Sequence, residues 1–160
     1  MRSHAIISED GLYRYTLIRQ WSERPMMVWC MLNPSTADAS QDDPTIRRCI
    51  AFAVREGYGG IHIVNLMAYR ATEPAEALSA RDPCGPRNDE HLRAAARQSD
   101  CIVVAWGARA TRPLAERAVT SFKGGGTEEF RCLGTTKDGS PRHPLYVRSD
   151  EPFRWWGLSA

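Results

Sequence analysis

Lysine is almost missing from this chain: of 21 basic residues only Lys123 and Lys137 are lysine, and the rest are arginine. The guanidinium suits bidentate phosphate contacts and stacking on bases. Codon usage in a GC-rich genome produces the same bias, and a net charge of +2 excludes no class of partner. The five cysteines (Cys30, Cys49, Cys84, Cys101, Cys132) contain no C-x-x-C and no zinc-type spacing. An odd count, no disulfide pattern and no signal-peptide pattern predict a reducing, cytoplasmic setting. No apolar stretch approaches the roughly 18 residues a spanning helix needs, so no membrane association is expected. Internal repeats and low-complexity segments are absent.

The common cofactor and nucleophile motifs are missing too. There is no P-loop, no G-x-G-x-x-G after a strand and no G-x-S-x-G. Gly124-Gly125-Gly126 follows a helical pattern and reads as a flexible turn. Carboxylates occur without histidine at ligand spacing, so neither a metal nor another cofactor is expected.

What the chain does contain is buried-strand signal. Met26 to Leu32 is an apolar run bounded by Pro25 in front and Asn33-Pro34-Ser35-Thr36 behind. It fits a strand covered on both faces, stopped because proline cannot continue the ladder. A second run, Ile61 to Leu66, also carries an asparagine at its end, Asn65. A third, Cys101 to Trp106, stops at Gly107, and a fourth, Phe130 to Leu133, runs into Gly134-Thr135. Leu12 to Arg19 alternates and predicts an edge strand able to form a hairpin with the 26–32 strand.

Helical patterns fall between these runs. Asp43-Pro44 supplies a cap and a first-turn proline for a helix over Thr45–Glu56, with Ile46, Cys49, Ile50, Ala53 and Val54 on one face. Arg87–Gln98 turns Leu92, Ala95 and Ala96 inward, and Leu114–Phe122 follows Pro113. Residues 75–86 read as an irregular loop ending in a short helix cap. With 160 residues and 42% hydrophobic content, the expectation is one domain over 1–160, three-layer α/β/α with a mostly parallel central sheet.

In such sheets ligands bind beyond the carboxyl ends of the strands. There the chain sets Asn33, Asn65 with Tyr69 and Arg70, then Gly107, then Thr135 with His143 a little further on. An amide offers a donor and an acceptor in fixed geometry, suited to a base edge or to holding a water. A histidine can donate to a developing anion. Each has a plainer reading as a turn cap or an exposed side chain. Asp38, Asp42 and Asp43 follow Asn33 in one loop, where one could serve as a base, although Asp43 reads as a helix cap.

The strings Met31–Asp38, Asp43–Arg48, Val64–Thr72, Ala105–Gly107 and Arg142–Tyr146 together resemble the DUF1643 family across about residues 10–150. In order along the chain the same landmarks also resemble the uracil-DNA glycosylase superfamily. That resemblance implies a water-positioning role for Asn33, with Pro34 and Ser35 beside it and Asp38 or Asp42 assisting. It implies base reading by Asn65 and a pocket wall at Trp106 and Gly107. His143 would stabilise charge on the departing base, and Leu145 or Tyr146 would stand near the wedge that enters DNA.

The implied reaction is hydrolysis of the N-glycosidic bond of a flipped-out base, leaving an abasic site. Tyr69 is the candidate stacking surface, and Arg47, Arg48, Arg70 and Arg142 are candidate phosphate contacts. Pro34-Ser35 stands where the closest glycosylases have Pro-Gly, which points to a modified pyrimidine, including a phage-type base met in defence. DNA is the expected partner, with no obligatory protein partner. Two alternatives stay open: a small-molecule nucleoside or nucleotide N-glycosidase or transferase, and a non-catalytic nucleic-acid-binding module.

Overall fold

The computed structural model describes residues 1–35, 37–99 and 101–159. It is a mixed α/β protein with a seven-stranded sheet and four α-helices. The strands are β1 (Arg2–Ile7), β2 (Arg14–Gln20), β3 (Met26–Met31), β4 (Gly60–Asn65), β5 (Cys101–Val104), β6 (Glu129–Cys132) and β7 (Arg154–Trp156). The helices are α1 (Pro44–Arg55), α2 (Pro74–Ser79), α3 (Asn88–Arg97) and α4 (Arg112–Gly124). The sheet order is β1-β2-β4-β3-β5-β6-β7. Only the central β4-β3-β5-β6 block is parallel; β1, β2 and β7 run antiparallel to their neighbours. The expectation of a mostly parallel sheet is therefore corrected to a parallel centre with antiparallel flanks.

Alternation along β3 divides the interior in two. Val28 and Cys30 join α3 and α4 in one core, with Leu92, Ala95, Ala96, Ala118 and Phe122. Met27, Trp29 and Met31 join α1 in the other, with Ile46, Cys49, Phe52 and Ala53. Helices thus cover both faces of the sheet, and each large apolar side chain taken from water contributes about 1.5–3 kcal/mol. On α1 the buried position is Phe52, whereas Val54, expected inward, is 56% exposed. Phe52 packs against Trp29 and Phe153, with the guanidinium groups of Arg48 and Arg55 4.9 and 5.0 Å from its ring.

The expected hairpin between β2 and the 26–32 strand does not form. β2 pairs with β1 and β4, and β4 lies between β2 and β3. The connection from β2 to β3 crosses the start of β4: the Trp21 and Ser22 N–H groups both donate to the Gly59 carbonyl, and the Gly59 N–H donates to Pro25 O. A Cβ on Gly59 would sit 2.6 Å from the Arg24 carbonyl oxygen, so glycine is what lets the two backbones pass. β2 is no edge strand either; β1 covers it, a strand whose polar start, Arg2-Ser3-His4, gives little periodic signal. The loop expected over 75–86 begins with the short helix α2.

One residue of β2 is supernumerary. Ile6 faces Thr16 and Ile7 faces Arg14, so Tyr15 forms a β-bulge. Side-chain parity shifts there. Tyr15 stacks on His91 of α3, with centroids 4.8 Å apart. Arg14 instead joins Arg19 in reaching the loop after β3, donating to the carbonyls of Ala37 and Asp38 respectively.

At the far edge β7 pairs with β6 and carries the terminal tryptophans. Trp156 meets Trp106 edge-on at 5.1 Å and Phe130 at 6.1 Å. Trp155 is 64% exposed, with Arg131 over its ring. No helix among the described residues is long and apolar enough to cross a membrane.

Candidate functional site

A cavity of about 640 Å³ opens at the carboxyl ends of the parallel strands. Its size falls within the usual range for small-molecule sites, about 300–1,000 Å³. Asn33 follows β3, Asn65 ends β4, Trp106 and Gly107 follow β5, and His143 lies beyond β6; all line this one cavity. Two amides and an imidazole from distant parts of the chain meet because parallel strands deliver their ends to a common edge.

Asn33 is oriented by its neighbours. Its amide nitrogen donates to the carbonyls of Ala71 at 2.8 Å and Pro34 at 3.1 Å. Two acceptors fix which end is NH₂, leaving Oδ1 as the acceptor with no partner among the described residues. Asn65 is 1% exposed, and neither end of its amide has a hydrogen-bond partner among the described residues. Its backbone is held: Asn88 at the start of α3 donates to the carbonyls of Asn65 and Leu66 at 2.9 and 3.2 Å. An unpaired buried amide costs about 1–3 kcal/mol, and this one stands in the cavity wall.

His143 caps a single 3₁₀ turn, Pro144–Tyr146, accepting the Leu145 N–H at Nδ1 over 3.2 Å. That places the ring proton on Nε2. Burial lowers its pKa, against the opposing pull of Asp43, so the ring is neutral at neutral pH. The turn is clamped from two sides. Arg48 of α1 donates to Pro144 O at 3.1 Å, to Ser149 Oγ at 3.1 Å and to Val147 O. Gly107, at φ +77°, donates to Pro141 O at 2.8 Å, and a Cβ there would stand 3.9 Å from that of His143. The Trp106-Gly107 bend thus sets the histidine against the wall that Trp156 braces.

The acidic loop divides in a way the spacing did not foretell. Asp38 lies outside the lining and closes its own turn, accepting from Ser40 and Gln41. Asp42 is also outside, paired with the buried Arg19 at 2.8 Å. Asp43 is the member that lines the cavity. It caps α1 through Oδ1 to Ile46 N at 2.8 Å and accepts the Ser35 hydroxyl at Oδ2 over 2.6 Å. The capping reading was correct and hid the second position. Both follow from the Asn-Pro-Ser turn folding back onto the helix start.

Among the other expected residues, Pro34, Ser35, Arg142, Leu145 and Tyr146 line the cavity. Tyr69 does not; it bridges to Tyr13 and meets that ring edge-on at 5.8 Å. Arg70 lies by Gly11, and Arg47 is exposed with a bond to Asp42 O. Arg48 is engaged by the His143 turn. Arg14, Glu73 and Arg109 line the cavity without having been expected. Arg14 gave no sequence signal, because it reaches this edge only through the bulge and through β2 running antiparallel to β4. Arg109 and Glu73 follow strand-end motifs closely enough that a wider window would have included them.

These features define an α/β protein with a cavity at a strand-end edge, lined by apolar side chains and a few polar groups. The chain belongs to the family described as protein of unknown function DUF1643, which it matches over residues 14–145. Comparison with curated proteins and with solved structures returned no match.

Proposed function

We propose that the protein is a DNA glycosylase of uracil-DNA-glycosylase-like fold, releasing a flipped-out modified pyrimidine and leaving an abasic site. One observation carries the reading: Asn33, Asn65 and His143 line a single cavity, with Asn65 buried and unpaired at both ends. Resemblance of the strand-end motifs to that superfamily supplies the reaction class.

In this reading Asn65 reads the edge of the base with one donor and one acceptor. Asn33 Oδ1 accepts a hydrogen bond from water and sets its oxygen toward C1′. As the C1′–N bond breaks, the bonding pair moves onto the base, and the neutral His143 donates Nε2–H to the oxygen where charge gathers. The water oxygen bonds C1′ and loses a proton to Asp43, the carboxylate that lines the same cavity. A proton from solvent neutralises the departing base. Trp106 forms an apolar wall for the base. Arg142 and Arg109 on the rim face the phosphates, with exposed Leu145 and Tyr146 between them and the DNA.

The test is a panel of DNAs bearing natural and phage-type pyrimidines, incubated at low salt and read as strand breaks after alkali. Abasic sites on at least one substrate, reduced 100-fold or more by Asn33→Ala (an effect of about 3 kcal/mol on the barrier), are expected. No breaks on any substrate that the protein binds would overturn the reading.

A further inference from the structure

Arg14 is a buried cation without a counter-ion within salt-bridge distance among the described residues. It is 2% exposed, yet among the described residues its guanidinium makes one hydrogen bond, from Nη1 to the Ala37 carbonyl at 2.6 Å. Nε is buried without a partner among the described residues. No carboxylate among the described residues lies within salt-bridge distance of it; the neighbouring Arg19 has Asp42, whereas Asp43 has both oxygens occupied by Ser35 and Ile46. The charged groups that act on it are Asp43 and Asp38 with favourable sign, and Arg70 and Arg19 with unfavourable sign. Burial depresses its pKa to about 10, which leaves it cationic at neutral pH.

A guanidinium has five N–H donors, and leaving a buried charge unpaired is among the costlier arrangements a fold can keep. Here the group lines the same cavity as Asn65, at the seam where β2 begins and β4 ends. With Nη1 held by Ala37, the Nε–Nη2 edge remains, and that edge matches two oxygens of a carboxylate or phosphate. The Tyr15 bulge is what turns the side chain this way.

We propose that Arg14 is an anion-anchoring residue of the cavity, so that the ligand carries an acidic oxygen group bound in a fork by Arg14 while its ring meets Asn65. The inference rests on the cavity being the substrate site and specifies the substrate further: a pyrimidine bearing a carboxylate, or a pyrimidine nucleotide presenting its phosphate.

Calorimetric titrations with two matched pairs test this: 5-carboxyuracil against uracil, and uridine 5′-monophosphate against uridine. One acidic probe is expected to bind at least about tenfold tighter than its neutral partner, the margin of a charge-assisted hydrogen bond. The pair showing the margin tells which source the anion has. Arg14→Met is expected to erase it and Arg14→Lys to keep part. Should Arg14→Met fail to fold, the Arg14 Nε–H resonance of the native protein supplies the readout, and saturation with the acidic probe is expected to shift it. Equal binding within each pair, no binding by any probe, a margin that survives in folded Arg14→Met, or an unmoved Nε–H resonance would each overturn the proposal. The abasic-site panel separates the two readings. Abasic sites without a charge margin leave the glycosylase and remove the anion anchor; a margin without abasic sites supports the anchor and removes the glycosylase.

Discussion

Arg48 Nε donates to the carbonyl of Pro144 across 96 positions of sequence, joining the first helix to the turn that carries the candidate proton donor. Its other two nitrogens reach Ser149 and Val147, so the whole fork is spent on one short segment. The residue expected from sequence to contact phosphate has its fork committed to the segment that carries His143.

Replacing Arg48 with methionine keeps the stem over Phe52 and removes the fork. The expected loss of stability in urea unfolding is about 1–3 kcal/mol, the range for charged hydrogen bonds. A broadened His143 ring resonance, with other histidines unchanged, would show the effect is local. A His143 resonance as sharp as in the parent would remove the positioning role.

Asn65 allows a sharper separation of stability from function. Because both ends of its amide are buried without partners, Asn65→Leu removes an unpaid desolvation of about 1–3 kcal/mol at nearly constant volume. The variant is expected to be as stable as the parent or more stable by thermal melting, and inactive in the abasic-site assay. A marked loss of stability would mean the amide serves the fold and not a ligand.

His62 on β4 is buried with both ring nitrogens unpartnered, and burial, aided by the nearby His91, lowers its pKa to about 4. The unfolded chain, with an ordinary value of 6.5, binds the proton over an interval where the folded chain does not. Stability is therefore full above pH 6.5 and is lost as pH falls towards 4, by up to about 3 kcal/mol for this group. Urea midpoints measured across that interval should fall steadily, and less steeply in His62→Leu. An identical slope in the variant would assign the acid sensitivity elsewhere.

The two terminal tryptophans are expected to behave differently. Trp156 contacts Trp106 and Phe130, so Trp156→Ala should cost about 1–3 kcal/mol. Trp155 is exposed under Arg131, and Trp155→Ala should cost no more than about 1 kcal/mol. Thermal melts of both variants check the contrast.

Much of the sheet was legible because four strands are continuous apolar runs and because Asp43-Pro44 and Gly57 mark a helix. The convergence of Asn33, Asn65, Gly107 and His143 was legible for the same reason, since strand ends locate themselves once the strands are found. Pairing was less readable. Nothing local in Leu12–Arg19 tells that its neighbour is the strand at 60–65, because the order depends on Gly59 letting one connection pass another. β1 and β7 stayed hidden, the first too polar and the second only three residues long. Charges were hardest to assign. Asp38 and Asp42 look equivalent in a string and Asp43 shows there only as a helix cap, yet one closes a turn, one neutralises Arg19 and one faces the cavity.

The extra residue at Tyr15 works as a parity bit for the whole recognition chemistry. Taking Tyr15 into strict alternation with nothing deleted would swing the guanidinium to the α3 side and bring an aromatic ring to the mouth in its place. Deleting Tyr15 outright would leave Arg14 opposite Ile7 as it is now, so the bulge, and not the length of the strand, decides which face the cation takes.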